Sequence, residues 1–112
     1  MTRYLISFDD GAMRFPPEDL PAVGAAAHAV VEQAKAAGAW VTGGGVERQA
    51  ATVVARDGSV TTTPFPAVGA FVGGFAIVDV ISREEALAWA TRFAVACRCA
   101  QEVRELMHDP DV

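Results

Sequence analysis

Basic residues are scarce in this sequence, and they stand singly. The 112 residues include nine lysines and arginines against fourteen acids, which gives a formal net charge of −5. Nucleic-acid-binding and anionic-lipid-binding surfaces need clustered basic side chains, so neither partner is expected. No apolar run is long enough to cross a bilayer, and the first ten residues read as a strand followed by acids rather than a secretory leader. We therefore expect a cytoplasmic protein with no membrane or nucleic-acid partner.

Cysteine and histidine are also sparse, with two of each. Cys97 and Cys99 are separated by one residue, which on a strand would place them on opposite faces and make a disulfide geometrically poor. They could bind a metal together with His108, but no further cysteine or histidine cluster completes such a site. We expect two ordinary thiols, no metal site and no cofactor.

Apolar residues, in contrast, make up 52% of the chain and charged residues only 21%. The length is that of one domain, which we place at residues 1–112 with a polar tail at about 108–112. A domain this small has much surface to cover, so the high apolar content indicates a buried subunit interface.

The periodicity of apolar residues predicts six strands and two helices. Asp57-Gly58 between two strand-like runs predicts a hairpin, and Ser82 with Glu85 predicts a capping box at the second helix. We expect the glycine triplet 43–45 to break the second strand. The predicted strands are 3–8, 39–42, 51–56, 60–63, 75–81 and 101–107, and the predicted helices are about 18–37 and 82–93.

This order, βαβ, hairpin and βαβ, predicts an α+β fold of the ferredoxin-like sandwich type. Both helices should lie on one face of an antiparallel sheet. The other face also needs cover, and a second copy of the sheet would supply it. We therefore expect a homodimer of the dimeric α+β barrel type.

Several local motifs, taken in order, resemble the YCII-related (DGPF-domain) family over roughly residues 3–105. They are the first strand, Ala26-Ala27-His28, the Asp57-Gly58 hairpin, Pro64-Phe65, Gly73-Gly74-Phe75, residues 85–90 and Glu102-Val103-Arg104. The resemblance implies a ferredoxin-like homodimer with clefts near the sheet–sheet interface. Most members have no assigned activity, and some have been proposed to be enzymes with a His–Asp pair.

The sequence departs from the family where that acid would stand. The family's Asp-Gly-Pro-Phe is Thr62-Thr63-Pro64-Phe65 here, and the Gly-Glu often found after the second strand is Gly43-Gly44. The proposed dyad therefore lacks its acidic partner, which leaves open whether the protein is an enzyme.

His28 is the candidate catalytic residue, because an imidazole can move a proton in either direction near neutral pH. It lies at the border of the apolar face of the first helix. The alternative is a border histidine with no catalytic role. The residues that could orient it are Asp9, Asp10, Glu47, Thr62 and Thr63.

The candidate ligand-binding residues are Thr62, Thr63, Pro64, Phe65 and Phe71. The threonine hydroxyls could bind a polar group, or they could simply complete a β-strand. Phe65 and Phe71 lie in a loop rich in glycine and proline, where they could touch a ligand or the other subunit. Asp79 is the one candidate for a buried acid, although solvation at the strand end is the preferred interpretation.

Three functional hypotheses remain. The first is a homodimer of the YCII-related type that binds a small molecule near the sheet interface and has no assigned activity. The second is an enzyme in which His28 acts as general acid or base on a small apolar or aromatic substrate. The third is a regulatory or interaction module.

Overall fold

The computed structural model describes residues 1–62 and 72–112. These two segments contain two α-helices and six strands, and one short 3-10 turn, Pro17–Asp19, precedes the first helix. The elements are β1 (Thr2–Asp9), α1 (Leu20–Ala36), β2 (Trp40–Gly45), β3 (Thr52–Val54), β4 (Val60–Thr62), β5 (Val72–Val80), α2 (Arg83–Cys97) and β6 (Glu102–Glu105).

The main sheet has four antiparallel strands in the order β2-β5-β1-β6. Strands β3 and β4 pair only with each other and form a separate hairpin, and all their residues are exposed. Since β1 and β5 occupy the centre, each helix connects two parallel strands that are separated by a third. The α+β class is confirmed, and the strand order is compatible with the ferredoxin-like plan.

The hydrophobic core lies between the sheet and both helices. Alternate residues of the central strands face it, as the period of a strand requires. The cluster includes Tyr4 and Ile6 of β1, Ala76, Val78 and Val80 of β5, Val30 and Ala34 of α1, and Ala86, Trp89, Ala90, Phe93 and Ala96 of α2. Because α1 and α2 share this single cluster, both helices cover the same face of the sheet.

The residues of β1 and β5 that alternate with these core residues lie on the opposite face of the sheet. Leu5 and Ile77 are cross-strand neighbours there, and Arg3 stands opposite Asp79. Leu5 and Ile77 are half-buried and Phe75 is 37% exposed. Neither helix in the described part of the chain packs on this face.

Helix α2 begins where the capping box predicts. The Ser82 hydroxyl accepts a hydrogen bond from the Glu85 N–H at 3.2 Å, and the Glu85 carboxylate accepts one from the Ile81 N–H at 3.1 Å. These bonds satisfy two amide groups at the start of the helix. The helix ends at Arg98, whose φ is 58°, and the Arg98 guanidinium binds Asp19 at 2.8 Å. That ion pair ties the end of α2 to the start of α1.

The hairpin also forms at the predicted turn. Gly58 has a φ of 87°, which a glycine adopts readily, and the Asp57 carboxylate accepts the Ser59 N–H at 2.9 Å. Hydrogen bonding by the Ser59 side chain, and then by the Ser59 N–H, holds the pKa of the Asp57 carboxyl below its usual value.

Several predicted bounds are wrong. The glycine triplet does not break the second strand; it is the last half of β2, which runs to Gly45. Helix α2 continues one turn beyond the predicted end, to Cys97, so this cysteine is helical. On α1, Val23, Val30 and Ala34 are buried, whereas Leu20 at the start of the helix is 59% exposed.

None of the helices among the described residues combines the length and the apolar character needed to cross a bilayer.

Candidate functional site

A cavity of about 680 Å³ lies between α1 and the helix-facing side of the sheet, where β1, β2 and β5 meet. We call it the α1 cavity. Helix α1 forms one wall with Ala27, His28 and Val31, and its exposed Glu32 and Lys35 continue along the same side. Residues three and four apart share a helix face, which is why this spacing places all five along one wall.

The floor of the α1 cavity is aromatic, and glycines allow the rings to lie on the sheet. A Cβ atom on Gly74 would stand 2.6 Å from Cζ of Phe8, so the Phe8 ring occupies the space above that glycine. A Cβ on Gly43 would likewise stand 2.8 Å from Cη2 of Trp40. The Phe93 ring lies 6.4 Å from Trp40 at a tilt of 41°, within the range of favourable aromatic pairs. The floor is therefore flat and apolar.

His28 is exposed on the wall of this cavity, and it makes no hydrogen bond to any residue that the structure describes. Glu32 follows one helical turn later and pairs with Lys35, with Nζ 3.3 Å from the carboxylate oxygen. Glu32 is thus the carboxylate that shares the cavity with His28. An imidazole with free nitrogens can bind a polar group of a ligand or transfer a proton to it.

Two of the acids expected to orient His28 line a neighbouring cavity of about 540 Å³ instead. Asp10 is there with its side chain only 11% exposed, and its carboxylate lies 3.4 Å from Nε of Arg48. Glu47 lines the same cavity. Phe8, Met13 and Gly45 line both cavities, so the two adjoin at the end of β2.

Of the residues predicted to bind a ligand, only Thr62 is among those that the structure describes. Thr62 is exposed at the end of β4 and lines neither cavity. Thr63, Pro64, Phe65 and Phe71 lie outside the described residues.

Cys97 also lines the α1 cavity, where it is buried, and both cysteines are free thiols. Burial raises the pKa of the Cys97 thiol, and the neighbouring Cys99 raises it further. Burial likewise raises the pKa of Cys99, against a smaller lowering by the Gln101 side chain. Both thiols are therefore protonated at neutral pH, and Cys97 offers the cavity a soft neutral surface rather than a nucleophile. Among the described residues, no cluster of three potential metal ligands occurs.

The environment of Asp79 differs from the expected one. We expected a solvated acid at a strand end, but the Oδ1 atom of Asp79 is buried and has no hydrogen-bond partner in the described part of the chain. The strand continues to Val80 and the residue lies on the face opposite the helices, across from Arg3. A buried unpaired carboxylate oxygen is unfavourable in an isolated chain.

The sequence analysis selected His28 as a candidate but did not select Glu32 or Cys97, which line the same cavity. The spacing of His28, Glu32 and Lys35 along one helix face was a usable signal. Cys97 could not be found in this way, because it belongs to α2, which meets α1 and the sheet only in the folded chain.

Comparison with models of known protein families finds no match, and comparison with curated proteins finds no relative by sequence.

Proposed function

We propose that the protein is a homodimer of the YCII-related type that binds a small apolar or aromatic molecule in the α1 cavity of each subunit. The observation that carries this proposal is the flat aromatic floor facing a wall with His28, Glu32 and Lys35. Ligand sites in proteins typically combine an apolar enclosure of this size with a few convergent polar groups. Phe75, which belongs to the opposite face of the sheet, also lines the cavity, so a ligand there would adjoin a sheet–sheet interface.

Tryptophan fluorescence tests ligand binding directly, because the chain has two tryptophans in different surroundings. Trp40 lines the α1 cavity, whereas Trp89 is buried in the core with the Arg92 guanidinium 4.4 Å from its ring centre. Indole, benzoate and 2-naphthoate serve as probes, with Kd confirmed by calorimetry. We expect at least one probe to change the emission of the wild type and of Trp89→Phe, but not that of Trp40→Phe.

A variant that fills the cavity provides a second test of ligand binding. Val31 lines the cavity and is only partly buried, so Val31→Trp should occupy the ligand space while α1 remains folded. Binding at least tenfold weaker in this variant supports the proposal. Absence of binding to the wild type below 1 mM, or equal binding to Val31→Trp, would contradict it.

The second candidate function is an enzyme in which His28 acts as general acid or base. It is favoured by the position of the imidazole on the cavity wall, with no hydrogen bond to a described residue. Small aromatic acids, esters and aldehydes can be screened for conversion by mass spectrometry. His28→Gln should bind the same molecules but convert them at least a hundredfold more slowly, the usual size of a general acid–base contribution. No conversion by the wild type, or equal conversion by both proteins, would exclude this role.

The homodimer is supported by the sheet face that carries Leu5, Phe75 and Ile77, which no helix of residues 1–62 or 72–112 covers. Arg3 and Asp79 flank these residues with opposite charges, so the face is complementary to itself in a two-fold pairing. A partner's arginine would also supply a donor for the unpaired Asp79 oxygen.

Light scattering after size-exclusion chromatography measures the mass. We expect twice the 11.7 kDa of one chain for the wild type. Ile77→Lys should be monomeric, because it places a charge in the centre of the pairing face. Val95→Lys, at an exposed position on α2, is the control and should remain dimeric. A monomeric wild type, or a dimeric Ile77→Lys, would refute this arrangement.

A further inference from the structure

We infer that the ligand of the α1 cavity is a planar aromatic molecule that lies against the bare backbone at Gly45, where a side chain would hold the ring away from the sheet. The inference rests on the proposed binding function and names the class of ligand.

The fold itself does not require a glycine at this position. Gly43 is required, because a Cβ there would stand 2.5 Å from the Phe75 carbonyl oxygen, and Gly74 makes room for the Phe8 ring. A Cβ on Gly45 would meet no atom of the described residues within 4 Å. Left-handed φ angles occur at Gly11, Gly38 and Gly58, but not at Gly45. Neither packing nor backbone conformation therefore explains this glycine.

Glycine inside a strand is unfavourable, because the unfolded chain has more conformational freedom to lose. A strand glycine that packing does not explain marks a place where another molecule or backbone approaches closely. Strand β2 suits such an approach because it is an edge strand, and no strand of the described chain pairs with its outer side.

Gly45 faces the side of the sheet on which the aromatic floor lies. It pairs with Gly74, and Gly43 pairs with Ala76, whose side chain is buried in the core beneath the helices. Gly45 also lines both the α1 cavity and its neighbour. A flat ring lying beside Phe8 would therefore rest on the backbone of Gly45, and a methyl group there would lift the ring and narrow the passage between the two cavities.

Gly44 provides the matched control. It is adjacent and its backbone also lines the α1 cavity, but it pairs with Phe75 rather than with a core-facing residue, and a Cβ on it would meet no described atom within 4 Å. Because successive residues of a strand point to opposite faces, the methyl of Gly44→Ala would lie on the far side of the sheet from the ligand. Both alanine variants should melt at or above the temperature of the wild type.

The probes are 2-naphthoate, which is planar, and adamantane-1-carboxylate, which carries the same charged group on a globular body. Affinities are measured by calorimetry and by Trp40 fluorescence. We expect the wild type and Gly44→Ala to bind 2-naphthoate at least tenfold more tightly than adamantane-1-carboxylate. Gly45→Ala should bind 2-naphthoate at least tenfold more weakly than the wild type does.

The outcomes distinguish this inference from the function on which it rests. If the wild type binds neither probe, both the ligand-binding function and the inference fail. If it binds both probes equally, or if Gly45→Ala binds 2-naphthoate as tightly as the wild type, only the inference fails. Equal weakening by Gly44→Ala and Gly45→Ala would also overturn it, because the effect would then not come from the cavity side.

Discussion

Replacing Gly43 with alanine should destabilise the fold, whereas the same substitution at Gly45 should not. The two glycines face the same side of β2, yet their surroundings differ. A Cβ on Gly43 would stand 2.5 Å from the Phe75 oxygen and 2.8 Å from Cα of Ala76. Both atoms belong to the backbone of a central strand, so they cannot move without disturbing the pairing of β5 with β1.

The expected size follows from general values. Overpacking of a well-packed site costs roughly 1–3 kcal/mol, whereas a compatible Gly→Ala change contributes about 0.4–1 kcal/mol of stability through the unfolded chain. With an unfolding entropy of roughly 2.1 cal/mol/K per residue, 1 kcal/mol corresponds to about 4 °C for a chain of this length. We therefore expect Gly43→Ala to lower the Tm by roughly 4–12 °C and Gly45→Ala to raise it by about 2–4 °C.

Differential scanning calorimetry, supported by urea denaturation followed by circular dichroism, measures both changes. Gly44→Ala, whose Cβ also meets open space among the described atoms, should behave like Gly45→Ala. A Gly43→Ala protein that melts at or above the wild-type temperature would refute the reasoning, since it would show that β2 does not approach β5 as closely as described.

Three further predictions concern single side chains. Ser82→Ala removes the cap on the Glu85 N–H and should lower the unfolding free energy by about 1 kcal/mol; an unchanged urea midpoint would contradict this. Burial, and then the hydrogen bond to Glu105, raise the pKa of Tyr4, the sole tyrosine. Its absorbance at 295 nm should therefore titrate above pH 10. The stability it contributes is fully present below the unfolded pKa near 10 and is lost as the pH rises through the folded value; ionisation at or below pH 10 would disprove this. Because burial and then Cys99 raise the pKa of Cys97, iodoacetamide should label Cys97 slowly at pH 8 and faster only at higher pH, and 2-naphthoate should slow it further. Labelling as fast as that of free cysteine, measured by mass spectrometry, would contradict both expectations.

The parts of the fold that local signals specify could be predicted. The Asp57-Gly58 turn and the Ser82 cap each depend on residues within a few positions of one another. The end of α2 could not be predicted, because the helix stops at Arg98 in a left-handed conformation that usually marks a glycine. Arg98 pairs with Asp19, which lies far from it in sequence, so no local pattern indicates this ion pair.

The glycine triplet was misinterpreted for a related reason. Three residues without side chains look like a break in a strand when only the local sequence is considered. In the folded chain, the Trp40 ring and the β5 backbone both lie too close to Gly43 to leave room for a Cβ atom. The strand therefore needs a residue without a side chain at this position. Such a requirement depends on contacts between distant segments and leaves no local pattern.

The candidate site shows the same limit. His28 was identified because its place on the border of α1 can be read from helical periodicity. Glu32, the carboxylate that lines the same cavity, was overlooked because partners were sought in other segments of the chain, at Asp9, Asp10, Glu47, Thr62 and Thr63. Phe8, Trp40 and Cys97 belong to three different elements, and only the sheet order brings them to one cavity.

The position of β1 in the middle of the sheet has a consequence for synthesis. Its two neighbours are β5, at Val72–Val80, and β6, at Glu102–Glu105. During translation β1 is therefore made before either neighbour, and it must stay unpaired until most of the residues between β1 and β6 have been added. Such long-range pairing slows folding and exposes apolar edges to aggregation. In a chain stalled before β5, the apolar residues Tyr4 and Ile6 would lack their pairing strand and would favour aggregation.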